Sequence, residues 1–239
     1  MEAVILAGGL GTRLRSLVAD QPKSLADIGG RPFLDYLIAG LQREGIERIV
    51  VCVGHLGEQI ERHLGDGSSL GVAIRYSREM EPLGTGGALR LALTLLEDET
   101  VLVTNGDSFL DFSLRDMLGL HRSRGAQVTM ALSRQVARGR YGAVEVDARG
   151  LVTAFREKPE ASDAVLINAG VYLMERSVIE EIAPDRPTSL EREVLPRLVG
   201  RSLFGAPFPG YFTDIGVPAD LLAVRSDPGR LRSIHPKGS

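Results

Sequence analysis

Gly8-Gly9-Leu10-Gly11-Thr12-Arg13-Leu14 stands directly after the apolar run Ala3–Ala7. Glycines at such a point let the backbone approach a ligand closely and aim its N–H groups at phosphate oxygens. A helix starting near Gly11 would add the positive end of its dipole. The spacing is not a Walker A loop, because no Gly-Lys-Ser/Thr follows, and it is not the Rossmann fingerprint. Arg13 sharpens the picture, since a guanidinium in this loop suits bidentate phosphate contact; a plain structural turn is the competing account. Pro22-Lys23 comes shortly after. The proline directs the lysine behind it, whose ammonium can neutralise an α-phosphate, although a solvated surface lysine needs no ligand. Gly84-Thr85-Gly86-Gly87 precedes an apolar-periodic stretch. It places backbone donors at a helix entry, or it forms a tight turn.

Carboxylates come next. Asn105-Gly106-Asp107 ends the apolar run Val101–Thr104. A carboxylate at the carboxyl end of a central strand is a candidate Mg²⁺ ligand. Asp214, in Tyr211-Phe212-Thr213-Asp214-Ile215-Gly216, is the second. Far apart in sequence, the two could meet on one metal that also binds phosphates, although each alone could cap a helix or turn. Glu157-Lys158-Pro159 and Asn168-Ala169-Gly170 offer an acceptor, a cation and a donor-acceptor of the kinds a sugar phosphate needs. A surface ion pair and a strand irregularity would explain them equally well. His55, His63, His121 and His235 have no metal-ligand spacing. No Ser-His-Asp or Cys-His arrangement is visible, which argues against nucleophilic hydrolases.

The elements that must position these residues alternate in the first half. Ala3–Ala7, Arg48–Val53, Val72–Tyr76 and Thr100–Thr104 read as strands, and Phe33–Glu44, Leu56–Leu64 and Gly86–Glu97 as helices. That rhythm predicts a parallel sheet with right-handed crossovers. In the second half Gln127–Ser133, Tyr141–Val146, Val152–Phe155 and Ile167–Met174 read as strands, with a hairpin turn at Asp147–Gly150. Helical pieces follow at Ser177–Ile182 and Ser189–Val199. The fold class is therefore α/β, a Rossmann-like mixed but mainly parallel central sheet flanked by helices. Ligands in such sheets sit beyond the carboxyl ends of the strands.

The bulk numbers agree. The 239 residues, 44% of them hydrophobic, suit one large domain spanning 1–239. A net charge of −3 points to neither a nucleic-acid surface nor an anionic membrane patch. The single cysteine, Cys52, lies in an apolar run and reads as a buried small hydrophobe in a reducing compartment. The N-terminus lacks the basic and apolar regions of a signal peptide, and no stretch approaches a membrane span, so a cytoplasmic location is expected. The many arginines of the second half read as solvated surface.

Taken in order over about residues 2–225, these motifs resemble the sugar-1-phosphate nucleotidyltransferase family. The glycine loop combined with Pro22-Lys23 looks like the family's signature. The resemblance implies the nucleotide-diphospho-sugar transferase fold, with Arg13, Lys23 and Asp107 as catalytic residues and Asp107 and Asp214 holding Mg²⁺. It implies a nucleotide site formed by Leu6, Ala7, Gly8, Gly9, Gly11, Thr12, Arg13, Glu79, Glu81, Gly84 and Thr85. It also implies a sugar-phosphate site formed by Gly142, Glu157, Lys158, Asn168 and Gly170. The segment Glu79-Met80-Glu81-Pro82-Leu83-Gly84 resembles guanylyltransferases, since a carboxylate can accept from both guanine N1–H and the 2-amino group. Uridylyltransferases with similar segments leave the base open. Thr188–Pro196 and Asp214–Pro218 look most like the D-glycero-α-D-manno-heptose 1-phosphate guanylyltransferases, with mannose 1-phosphate as the alternative sugar. Phe212 departs from the tryptophan many relatives carry before the Asp214 motif. GTP and a sugar 1-phosphate are the expected partners, and a homo-oligomer stays open. An inactive regulatory relative and a glycosyltransferase using an NDP-sugar are the competing classes. The retained Arg13, Lys23 and Asp107 count against the first, and the missing Asp-x-Asp motif against the second.

Overall fold

The computed structural model describes residues 1–9, 20–136, 143–156 and 164–231. Its strands are β1 (Glu2–Leu6), β2 (Arg48–Val53), β3 (Ala73–Arg78), β4 (Thr100–Asn105), β5 (Ser108–Leu110), β6 (Val128–Val136), β7 (Ala143–Val146), β8 (Val152–Arg156), β9 (Ala164–Glu175), β10 (Leu203–Phe208) and β11 (Phe212–Asp214). Its helices are α1 (Phe33–Arg43), α2 (Gly57–Leu64), α3 (Gly84–Ala92), α4 (Leu114–Arg124), α5 (Arg176–Glu180), α6 (Leu195–Leu198) and α7 (Pro218–Ser226).

The main sheet runs β10-β6-β9-β4-β1-β2-β3. Strands β3, β2, β1 and β4 pair in parallel. Strand β9 then enters antiparallel between β4 and β6, and β10 is parallel to β6. The β7–β8 hairpin leans on β9 through Ala143 opposite Ile167. Asp147–Gly150 makes its turn as expected: Gly150 N–H donates to the Asp147 carbonyl at 2.9 Å, and Gly150 takes φ +84°.

The central strands are apolar on both sides because helices cover both faces. Ala3 and Ile5 of β1 join Ile49, Val51 and Val53 of β2 and Leu34, Leu37, Ile38 and Leu41 of α1 in one core. Val4, Val50 and Cys52, one residue out of phase, pack with Leu89 and Ala92 of α3 in the other. The two-residue period of a strand thus feeds two cores from one continuous apolar run. Burying a side chain such as Ile38 fully is worth about 1.5–3 kcal/mol. Cys52 is buried as expected; burial and the nearby Glu79 charge push its thiol up to about 12.

The structure departs from expectation at several elements. The expected Gly86–Glu97 helix starts at Gly84 and closes at Ala92 into a 3₁₀ turn, Leu93–Leu95. Ser189–Val199 is a π-helical turn, Leu190–Val194, followed by the short α6, with Pro196 near its start. Helices α4 and α7 and strands β5, β10 and β11 carry no sequence expectation at all. Some second-half arginines are more than solvated surface: Arg176 Nη1 donates to the Leu96 carbonyl at 2.7 Å, and Arg186 pairs with Glu193.

Candidate active site

The site gathers where β1 and β4 end side by side. Leu6 pairs with Asn105, and the Gly106 N–H donates to the Leu6 carbonyl at 2.9 Å. A Cβ on Gly106 would lie 3.0 Å from that oxygen and 3.2 Å from Ala7 Cα, so glycine lets the two strand ends close together. The chain then turns out of the sheet and presents Asp107. Lys23 meets it from the other side. Pro22, at φ −57° and ψ 139°, feeds a single 3₁₀ turn, Lys23–Leu25, that fixes the backbone behind the ammonium. Lys23 Nζ donates to Asp107 Oδ2, so residues 84 positions apart form one ion pair.

Asp214 arrives through the small second sheet. Strand β11 pairs antiparallel with β5, with Asp214 opposite Ser108, and the Ile215 N–H donates to the Asp107 carbonyl at 2.9 Å. Asp214 Oδ1 accepts the Gly216 N–H at 2.5 Å, which orients the carboxylate. The two aspartates are therefore neighbours across a backbone bridge. Among the described residues no group of three or more His, Cys, Asp or Glu side chains is placed to hold a metal ion. Two hard carboxylates suit a cation that keeps water and takes phosphate oxygens for its remaining positions, as Mg²⁺ does.

On the β2–β3 side Glu79 reaches in. Its N–H donates to the Val53 carbonyl at 2.9 Å, and its Oε2 accepts the Leu83 N–H at 3.0 Å. A Cβ built on Gly8 or on Gly54 would lie only 2.6 Å from Oε1. Both glycines thus make room for this carboxylate beside the first loop. Burial pushes the Glu79 carboxyl up, and the Leu83 N–H partly offsets that. Glu81 is exposed. Of the two candidate base readers, Glu79 is the one set against Gly8.

Gly84-Thr85-Gly86-Gly87 differs from expectation. The Gly86 and Gly87 N–H groups both donate to the Thr188 carbonyl, at 2.8 and 3.2 Å, so these helix-entry donors are already taken. Gly84, at φ +70°, would place a Cβ 2.7 Å from the same oxygen. Thr85 Oγ1 donates to Glu191 Oε2 and accepts the Leu190 N–H, both at 2.8 Å. The glycine run is a seat for the segment 186–191, which locks the start of α3 behind Glu79.

The chain matches the nucleotidyl transferase family over residues 2–228. It belongs to that family. It is 38% identical over 221 residues to a D-glycero-α-D-manno-heptose 1-phosphate guanylyltransferase of Aneurinibacillus thermoaerophilus, covering 92% of this chain and 95% of that one. The Campylobacter jejuni protein of the same name is 39% identical over 92% of this chain and 96% of its own length. A mannose-1-phosphate guanylyltransferase of Mycobacterium tuberculosis is 38% identical over 99% of this chain, which spans 66% of that longer protein. Among solved structures, HddC from Yersinia pseudotuberculosis complexed with GMP-PN superposes with a TM-score of 0.84 at 30% identity, covering 95% of this chain and 98% of that one.

In this nucleotidyltransferase β9 adjoins β4 at the same strand end, with Val171 opposite Thr104. Asn168 Nδ2 donates to the Tyr172 hydroxyl at 2.7 Å, and its Oδ1 accepts the Gly170 N–H at 2.9 Å. Opposite, the β6 pairing slips between Met130 and Leu132. Gly170 takes φ +73°, and a Cβ there would lie 2.7 Å from Asn105 Nδ2. Asn105 Oδ1 is buried without a partner. Leu6, Asn105, Gly170 and Asn168 are thus neighbours, as are Lys23, Asp107 and Asp214, and Gly8 lies against Glu79. Gly11, Thr12, Arg13, Gly142, Glu157 and Lys158 lie outside the described residues. Sequence reasoning missed the roles of Thr188 and Glu191, which appeared only as part of a family-like pattern.

Proposed function

We propose that the enzyme transfers GMP from GTP to D-glycero-α-D-manno-heptose 1-phosphate, giving GDP-heptose and pyrophosphate for surface polysaccharide synthesis. The observation that carries the chemistry is the Asp107 carboxylate at the end of β4, contacted by the Lys23 ammonium and bridged through the backbone to Asp214. The sugar choice is supported by two heptose 1-phosphate guanylyltransferases that match almost end to end. Mannose 1-phosphate is the second reading, favoured by the Mycobacterium tuberculosis relative that spans 99% of this chain.

A phosphate oxygen of the sugar 1-phosphate attacks the α-phosphorus of GTP in line, and the bond to pyrophosphate breaks. Such transfer needs positioning and charge neutralisation more than a covalent catalyst. Lys23 leaves Asp107 for the α-phosphate, and Arg13 binds the leaving pyrophosphate. Lys158 steers the attacking phosphate, while Glu157, Asn168 and the backbones of Gly142 and Gly170 hold the sugar. Leu6, Ala7, Gly8, Gly9, Gly11 and Thr12 line the triphosphate and nucleoside. Glu79 accepts from guanine N1–H and the 2-amino group, a pair that uracil and thymine cannot offer. The resident cation is Mg²⁺, held by Asp107 and Asp214, and when bound it supplies charge neutralisation on the triphosphate. No helix of the described residues is long and apolar enough to cross a membrane, and we place the enzyme in the cytoplasm.

Pyrophosphate release tests the proposal. Purified protein with Mg²⁺ is given GTP, UTP, dTTP, CTP or ATP, each with the heptose, mannose, glucose or N-acetylglucosamine 1-phosphate. GTP with the heptose phosphate is expected to be fastest. UTP or dTTP with a gluco-sugar would overturn the assignment of Glu79, and GTP with mannose 1-phosphate would select the second reading.

A further inference from the structure

Lys23 and Asp107 are both assigned to catalysis, yet they are bonded to each other. The ammonium donates to Asp107 Oδ2, one of the oxygens a cation would need. The other oxygen, Oδ1, sits 3.3 Å from Ser108 Oγ. Lys23 is well placed to stay. Its side chain is 19% exposed, and its backbone is pinned by the Leu25 N–H to the Pro22 carbonyl at 2.9 Å and the Ala26 N–H to the Lys23 carbonyl at 3.0 Å. Only the side chain is left to swing. A divalent cation approaching Asp107 therefore meets a like charge on the same carboxylate, and its binding is weakened while the ammonium stays. A triphosphate resolves the conflict. Its several negative charges compete for the ammonium better than one carboxylate does, and drawing Lys23 onto the α-phosphate uncovers Oδ2.

We propose that Lys23 is a latch on the metal-binding carboxylate, so that a cation takes up its place on Asp107 only as the nucleotide draws the lysine away. The inference rests on the assignment of Asp107 and Asp214 as cation ligands. By linkage the coupling is reciprocal: what nucleotide does for the cation, the cation does for nucleotide. The consequence is protective, because the charged machinery is held neutral and closed until substrate arrives.

The test is Mn²⁺ binding to the full chain without nucleotide, followed by the electron paramagnetic resonance signal of free Mn²⁺. Lys23→Met and the polar, uncharged Lys23→Gln are compared with wild type, and each with the same protein also carrying Asp107→Asn. Circular dichroism and thermal melting identify a misfolded variant, and either lysine variant suffices. With the latch, removing the ammonium tightens Mn²⁺ binding about tenfold or more, within the usual range of site coupling. Asp107→Asn then abolishes the gain. Equal or weaker binding in the lysine variants, with Asp107→Asn still weakening it, overturns the latch and leaves the cation assignment standing. Binding indifferent to Asp107→Asn in every background overturns both.

Discussion

Where β1, β2 and β4 end in parallel, the side to which we assign the nucleotide, the glycines are there for space. Gly8, Gly54 and Gly106 all have backbones open to other residues; what forbids a side chain is the neighbour 2.6–3.0 Å away. On the side to which we assign the sugar, β9 runs antiparallel through a slipped register, and Gly170 adopts φ +73°, a conformation side chains resist. The first wall is built from charged side chains on a regular scaffold. The second is built from an irregular backbone, with a register slip and a left-handed glycine. Perturbing charge should therefore hurt the first without unfolding it, and perturbing conformation should hurt the second together with stability.

The largest expected effect tests the first half of that contrast. Lys23→Ala should lower kcat/KM by roughly 10³-fold, at the upper end of what removing one preorganised charge costs. The melting temperature should move little, because the lost ion pair is partly exposed and such pairs contribute about 1 kcal/mol or less. Pyrophosphate assays and a thermal melt on the same preparation check both. A rate within tenfold of wild type would remove Lys23 from the chemistry.

Gly170→Ala tests the second half. The new Cβ meets Asn105 Nδ2 at 2.7 Å, and the backbone must hold φ +73°. The expected outcome is about 1–3 kcal/mol of destabilisation and a KM for the sugar phosphate raised roughly tenfold, the KM for GTP staying put. Equal rises in both KM values would show that the two walls are not separable.

How far this division was legible in the sequence follows from the same physics. The parallel side was readable because double burial makes β1, β2 and β4 unbroken apolar runs, with Gly8-Gly9 just past β1 and Asn105-Gly106-Asp107 at the end of β4. Strands β5 and β11 are three residues each, too short to carry a period, so the bridge that brings Asp214 to Asp107 left no trace. Helix α4 is mostly polar, burying only Leu114, Met117 and His121, so its sequence carries no clear apolar stripe. The Gly84–Gly87 run looked like a phosphate seat because glycines before a helix are common to both uses. Only the fold could reveal that Thr188, a hundred residues away, occupies it. Glu79 and Glu81 were indistinguishable as letters, and burial separates them.

That last pair gives the two smallest effects. Glu79→Gln should raise the KM for GTP roughly tenfold and erode its preference over UTP, because the amide cannot accept from both guanine donors. The carboxyl is pushed up in the folded protein by burial. A carboxyl with a raised folded value binds its proton more tightly than the unfolded chain does, so its contribution to stability is present at low pH. That contribution is lost as pH rises through the folded value. At neutral pH the charged form is thus held against its own preference. Glu79→Gln should leave the melting temperature at pH 7 unchanged or higher, with less advantage at acidic pH. Glu81→Gln, on an exposed side chain, should change the KM for GTP less than about twofold, in line with surface substitutions generally. A steady-state comparison of the two variants decides between them. If Glu81→Gln carries the larger loss, base recognition lies outside the cleft wall drawn by Gly8, Gly54 and Glu79, and the Leu83 N–H bond to Glu79 is a purely structural cap.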